Sequence, residues 1–243
     1  MQIKIKFASD ENILLPVYYN HIIQGFIYNN IDKDLAEFLH DKGYASNGRM
    51  FKLFTFSKIL NKGRNEDGKL NFGKRMELIV SSPVEDFCKS IANSMLKNEE
   101  LNVGGNNLKV EEINVLNNLI ENDEIIINTL SGIVAYSTFY KADSRKFTYY
   151  FMPYEKDFSR IVTENLIKKY NAFYNANLNP DKGIEIIPLG EPKQMLVYYK
   201  GYIIKSAEGK FLIKGDKRLL QLGLDAGFGS KNSQGFGCVM LCP

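Results

Sequence analysis

Two features of this chain have the residue types to act on a polyanion: a histidine at a helix end, and a glycine-rich run around a lysine. The histidine is His40, in Leu39-His40-Asp41-Lys42-Gly43, where Gly43 should terminate a helix. The carbonyl end of a helix favours protonated imidazole and can raise its pKa above about 6.5. That suits a group donating a proton near neutral pH; the competing reading is a surface residue capping the helix. The glycine run is Gly223-Leu-Asp-Ala-Gly227-Phe-Gly229-Ser-Lys-Asn-Ser-Gln-Gly235-Phe-Gly237. Glycine costs a helix roughly 1 kcal/mol per residue relative to alanine, so the run reads as a loop able to take positive φ or approach a ligand closely. With Lys231, Asn232 and Ser233 at its centre, a phosphate backbone is the ligand class it fits, and a flexible surface turn is the alternative. No Gly-Lys-Ser/Thr follows it as a nucleotide-hydrolase loop requires. It leads into a strand, whereas a dinucleotide fingerprint leads into a helix.

Metal and cofactor chemistry find little support. The histidines are His21 and His40, the cysteines Cys88, Cys238 and Cys242, with no CxxC or H-x-x-x-H spacing, so neither a metal nor a cofactor is expected. The cysteines read as core residues of a protein in a reducing cytoplasm. No apolar run reaches the roughly 18 residues of a membrane span, and Met1-Gln-Ile-Lys-Ile-Lys-Phe7 alternates as a strand. The net charge of +3 decides nothing by itself, but its distribution is uneven. Segments 41–75 and 195–243 carry +6 and +4, while 76–124 carries −7. If the fold joins the basic segments, they form a polyanion-binding face.

The elements that must position these residues repeat once along the 243 residues. Period-2 alternation marks a strand at Ile3, Ile5 and Phe7, followed by helices at about 18–30 and 32–42. Phe51–Phe56 and Arg75–Val80 read as strands, and Ser82-Pro83-Val84-Glu85 as a capping box with proline at the first helical position. Extended structure resumes over 100–116, broken by a Gly104-Gly105-Asn106-Asn107 hairpin signal. The second half shows strands over Ile125–Tyr140 and Phe147–Phe151, a helix over 156–174, and strands near 184–189, 195–205 and 210–213. A short helix near 215–222, the glycine loop and a strand at 238–242 complete it. Two β-α-β-β-α-β units predict an α+β chain of two tandem ferredoxin-like, RRM-like domains, 1–122 and 123–243, the second ending in the glycine-rich loop. Modules of this type commonly bind single-stranded RNA.

Tyr28-Asn29, Leu39-His40-Asp41 and Lys52-Leu-Phe-Thr-Phe-Ser57, taken with the terminal glycine loop, resemble the CRISPR-associated repeat-RNA endoribonuclease family. This is the sixth Cas protein, of the repeat-associated mysterious protein superfamily, and its members are built from two ferredoxin-like domains. The resemblance implies metal-independent cleavage of CRISPR precursor RNA within its repeats. A ribose 2′-hydroxyl attacks the adjacent phosphate, leaving a 2′,3′-cyclic phosphate and a 5′-hydroxyl, and giving mature guide RNA. It also implies roles for His40 as acid/base, for Lys52 as the cation on the phosphorane, and for Tyr28 in orienting the 2′-hydroxyl. A phenol with a pKa near 10 is a poor unaided base. Arg49 and Lys42 are reserves for the cation.

In the loop, Gly223, Gly227, Gly229, Gly235 and Gly237, with Lys231, Asn232 and Ser233, are expected to hold RNA, helped by Arg218, Lys217 and Lys58. Phe228, Phe236 and Tyr44 are candidates for base stacking, with buried packing the alternative. His21 reads as a helix-start residue. A non-cleaving repeat-binding relative and a structural subunit of an effector complex are the competing functions, and a homodimer stays open.

Overall fold

A computed structural model describes residues 1–46, 48–140, 142–181 and 183–242. Alternation places Ile3, Ile5 and Phe7 of strand Gln2–Ala8 on the core side of a sheet, all almost fully buried. Its outer face carries Lys4 and Lys6, paired at 2.6 Å with Glu77 and Glu112 of the neighbouring strands. Those neighbours are Arg75–Ser81 and Asn106–Leu116, both antiparallel to it. Thr55–Phe56 lies outside the first and Leu101–Val103 outside the second. Helices α1 (Asn20–Asn29), α2 (Lys33–Glu37) and α3 (Glu85–Lys97) supply the apolar residues that cover the sheet, among them Ile23, Phe26, Phe87 and Ile91. Gly104 and Gly105, both at positive φ (59° and 88°), make the tight hairpin turn that their sequence signals.

The same connectivity returns in the second half. Strand Glu124–Thr129 lies between Lys210–Lys214 and Val239–Leu241, with Glu185–Pro188 outermost. Helices α4 (Lys156–Tyr174) and α5 (Lys217–Ala226) bury Phe158, Val162, Leu166, Leu219, Leu220 and Leu224 against it. Two ribbons stand apart from this sheet, Ala135–Tyr140 with Lys146–Phe151 and Lys193–Tyr199 with Tyr202–Glu208.

Five local expectations change, the first at 195–205, which is two paired strands, Lys193–Tyr199 and Tyr202–Glu208. Phe51–Phe56 is not one strand: Arg49–Phe51 pairs with Tyr44–Ser46, and Leu53 takes φ 49°, so only Thr55–Phe56 joins the sheet. Helix α3 starts at Glu85, because Val84 is extended (ψ 106°); the Ser82 hydroxyl accepts from the Val84 amide (3.1 Å) and donates to the Leu53 carbonyl (2.7 Å). The run 125–140 breaks at 130–134, where the chain leaves the sheet to form the first ribbon. Helix α5 continues through Gly223 to Ala226, since that glycine makes room for the Phe228 ring.

Candidate active site

The segment bearing His40 is fixed at both ends. Asp32 caps α2, its Oδ1 accepting from the amides of Asp34 (3.0 Å) and Leu35 (3.1 Å). The helix then widens into a π turn over Phe38–Lys42, closed by the Gly43 amide donating to the Phe38 carbonyl at 2.6 Å. Gly43 has φ 62°, and a Cβ there would lie 2.7 Å from the Phe51 carbonyl oxygen. The turn is thus pressed against the 49–51 strand, with Leu39 in the core and His40 outside, its side chain 77% exposed.

Three segments bring the chemistry together. His40 Nδ1 lies 2.7 Å from Asp41 Oδ1, and the Tyr28 ring meets the imidazole edge-on at 6.1 Å between centroids. Tyr28, from the last turn of α1, also packs on Phe54, and burial pushes its phenol up to about 12. Lys52 donates from Nζ to the His40 carbonyl. Burial lowers the Lys52 pKa, and the Asp41 charge opposes that shift. Lys52 holds its position from the irregular link before Leu53, not from a strand.

The glycine loop adjoins these residues, and its glycines face protein. Gly227, Gly229, Gly235 and Gly237 all have positive φ, between 72° and 85°. A Cβ would lie 2.5 Å from Asn232 Nδ2 at Gly227, from the Val134 oxygen at Gly229 and from the Phe56 ring at Gly235. The buried Asn232 amide ties the loop across its base, donating to the carbonyls of Phe228 (3.2 Å) and Phe236 (3.0 Å). The first half of the chain holds its outer side: Asn20 donates to the Gln234 carbonyl (2.9 Å), Gln24 to that of Ser233 (2.8 Å) and Thr55 to that of Phe236 (2.9 Å). Phe228 and Phe236 are core residues, 0% and 1% exposed, and offer no stacking surface.

One cleft of about 510 Å³ gathers Tyr28, His40 and Lys52 with Ser233 and Gln234 of the loop. Tyr199 and Lys200, at the tip of the second ribbon, and His21 and Gln24 of α1 also line it. The sequence reading missed Gln24, Tyr199 and Lys200. The Tyr199 hydroxyl donates to Gln24 Oε1, a pairing across 175 positions that no local pattern signals. Lys231, Ser233 and Asn232 also line a second hollow, of about 370 Å³, with Arg49 and Lys52.

Other residues named from sequence lie elsewhere. Lys217 and Arg218 line a separate hollow that also holds Asp123, Glu124 and Asp181, and Arg218 is tied to Asp216 at 2.5 Å. Lys58 pairs with Glu208 at 2.7 Å. Gly223 is buried inside α5 under Phe228. Tyr44 packs between Phe38 and Phe173. Lys42 is exposed on the π turn, outside the cleft that holds His40. Among the described residues, no helix is long and apolar enough to cross a membrane.

Residues 14–114 match the family description "CRISPR-associated protein Cas6, N-terminal", and residues 109–241 match "CRISPR associated protein Cas6, C-terminal". The chain is 29% identical to the CRISPR-associated endoribonuclease Cas6 1 of Methanocaldococcus jannaschii, over 99% of this chain and 92% of that protein. It is 30% identical to the CRISPR-associated endoribonuclease Cas6 of Pyrococcus furiosus, over 95% and 86%. A putative endoribonuclease-like protein, Cas6nc of Pyrococcus horikoshii, is 25% identical over 99% of both chains. Among solved structures, a CRISPR associated protein Cas6 superposes with a TM-score of 0.78 at 27% identity, covering 100% of this chain and 99% of that one. With both halves matched in order and the architecture shared end to end, the chain belongs to the Cas6 family.

Proposed function

We propose that this chain is an endoribonuclease that cuts CRISPR precursor RNA within its repeats, using the ribose 2′-hydroxyl as nucleophile and no metal ion. The observation that carries the reading is the single cleft shared by His40, Lys52, Tyr28 and the glycine loop. An intramolecular nucleophile already supplies much of the proximity that catalysis needs. What remains is protonation of the leaving group and neutralisation of the developing charge.

The residues divide these tasks. The 2′-oxygen bonds to phosphorus as the bond to the 5′-oxygen breaks, and His40 Nε2–H gives its proton to that oxygen. The Asp41 carboxylate engages Nδ1, which leaves Nε2 as the atom for proton transfer. Lys52 sets a partly desolvated ammonium beside the phosphorane, where charge is worth more than in open water. The Tyr28 phenol stays protonated, so it orients the 2′-hydroxyl by hydrogen bonding and the 2′-proton leaves to solvent. The first ferredoxin unit, 1–122, brings the reacting groups, and 123–243 brings the loop edge that holds the strand, Lys231 and Ser233 foremost, with the buried Asn232 bracing it.

The test is cleavage of the cognate repeat RNA in EDTA, with His40→Ala alongside. Positioned acid–base groups contribute roughly 10²–10⁴-fold, and a loss in that range is expected for the variant. Unaltered cleavage by His40→Ala would remove His40 from the chemistry. Tight binding by the parent protein without any cutting would make it a repeat-binding relative. A repeat with a 2′-deoxy ribose at the cut should bind and stay whole.

A further inference from the structure

The 370 Å³ hollow beside the cleft has an unusual lining. Arg49 and Lys52 come from the first half of the chain, Lys169 from α4 and Lys231 from the glycine loop. Among the described residues, the lining contains no carboxylate to set against these four cations. Lys169 is 3% exposed, and its hydrogen bonds run to neutral carbonyls, those of Gly227 at 2.7 Å and Gly229 at 2.9 Å. Lys231 stands over the Tyr136 ring at 5.3 Å. Asn165, one helical turn before Lys169, lines the same hollow with Oδ1 buried and without a hydrogen-bond partner. A buried cation is normally paired, and a buried acceptor normally has a donor. Both requirements are open at one place.

We propose that this hollow binds the ribose–phosphate unit adjoining the scissile phosphate, its phosphate among Arg49, Lys169 and Lys231 and its 2′-hydroxyl donating to Asn165 Oδ1. The proposal rests on the function above, because Lys52 and Ser233 line both hollows and make them consecutive stations on one strand. A phosphodiester supplies the missing anion and the neighbouring ribose supplies the missing donor, so one nucleotide answers both. The 2′-hydroxyl contact would also separate RNA from DNA at this position. Burial lowers the pKa of Lys52, Lys169 and Lys231 alike, and a bound anion would reverse that trend at all three.

The experiment uses repeat RNA blocked by a 2′-deoxy ribose at the cut, with neutral methylphosphonates placed singly at each linkage around it. Binding is measured for the parent, Lys231→Ala and Arg49→Ala, with thermal melting to confirm folding. Arg49 is exposed, so its variant provides the cycle even if Lys231→Ala fails to fold. At one linkage next to the cut, the methylphosphonate should weaken the parent by about tenfold, the scale of a charge-assisted hydrogen bond. It should weaken the alanine variants far less, and Lys231→Arg should restore the parental sensitivity. Losses that simply multiply at every linkage, or no sensitive linkage in the parent, would overturn the proposal. Failure of the parent to cut unmodified repeat RNA would instead refute the endoribonuclease reading, and the binding cycle would still report on this site.

Discussion

Substituting two glycines that share a backbone conformation separates the two reasons for having glycine. Gly68 has φ 78° in the hairpin turn after Asp67, and a Cβ there would meet nothing within 4 Å. Gly237 has φ 74°, but a Cβ would overlap the Phe228 carbonyl oxygen and lie 2.7 Å from Asn232 Nδ2. Alanine at Gly68 carries only the left-handed penalty, about 1 kcal/mol. Alanine at Gly237 carries the same penalty, plus roughly 2 kcal/mol of overpacking. It also disturbs the Asn232 bonds to Phe228 and Phe236, at about 1 kcal/mol for a lost hydrogen bond. The sum is about 4 kcal/mol, and the gain from a stiffer unfolded chain is common to both variants and cancels. At about 2–4 °C per kcal/mol for a chain of this size, Gly237→Ala should melt on the order of 10 °C below Gly68→Ala, which itself stays within a few degrees of the parent. Melting followed by circular dichroism, with urea unfolding as a second measure, reads the difference. Equal shifts would refute the argument that the loop glycines are packing residues.

The neutral Tyr28 phenol predicts that Tyr28→Phe slows single-turnover cleavage by less than about tenfold, well short of the roughly 10²–10⁴ expected for His40→Ala; equal losses would make the phenol a proton-transfer group. Gly43→Ala combines φ 62° with a Cβ 2.7 Å from the Phe51 oxygen, so it should displace His40 and slow cleavage by on the order of 10²-fold, read under single-turnover conditions at saturating enzyme. Burial draws the Lys169 pKa down to about 7 from 10.5. Between pH 7 and 9 the unfolded chain therefore keeps a proton that the folded chain has released, and stability should rise with pH. Urea unfolding at several pH values should show that slope in the parent and a flatter one in Lys169→Met; identical slopes would clear Lys169 of responsibility. Above about pH 8 the raised thiols of Cys88 and Cys238, and at higher pH the raised phenols of Tyr19 and Tyr28, act in the opposite sense, so pH 7 to 8 is the informative part of the window.

The duplicated ferredoxin architecture was legible because alternation and helical spacing are local, and Ile3-Ile5-Phe7 or the α4 stripe announce their faces unaided. His40 could be placed because Gly43 marks the helix end. The meaning of the glycine loop was not local. Its composition indicates close approach, but whether Gly235 makes way for a ligand or for Phe56 depends on contacts nearly 180 positions away. Lys58 and Lys169 show the same limit from two sides. One is expected to help hold RNA and is paired with Glu208; the other carries no signal in the sequence and is buried under the loop. Phe51–Phe56 reads as one strand, and a left-handed Leu53, buried at 3% exposure, breaks it.

The carbonyls along the glycine loop are already engaged by Asn20, Gln24, Thr55, Asn232 and Lys169. The loop edge at Ser233 is thus held by protein contacts before any strand arrives, which lowers the ordering entropy that binding costs. On the proposed placement of successive phosphates in the two hollows, accommodation falls to the RNA, which would turn at Ser233, a residue lining both. A pre-set edge of this kind would select by suppleness: of two repeats offering the same groups, the one with the looser stacking step at Ser233 should enter more readily.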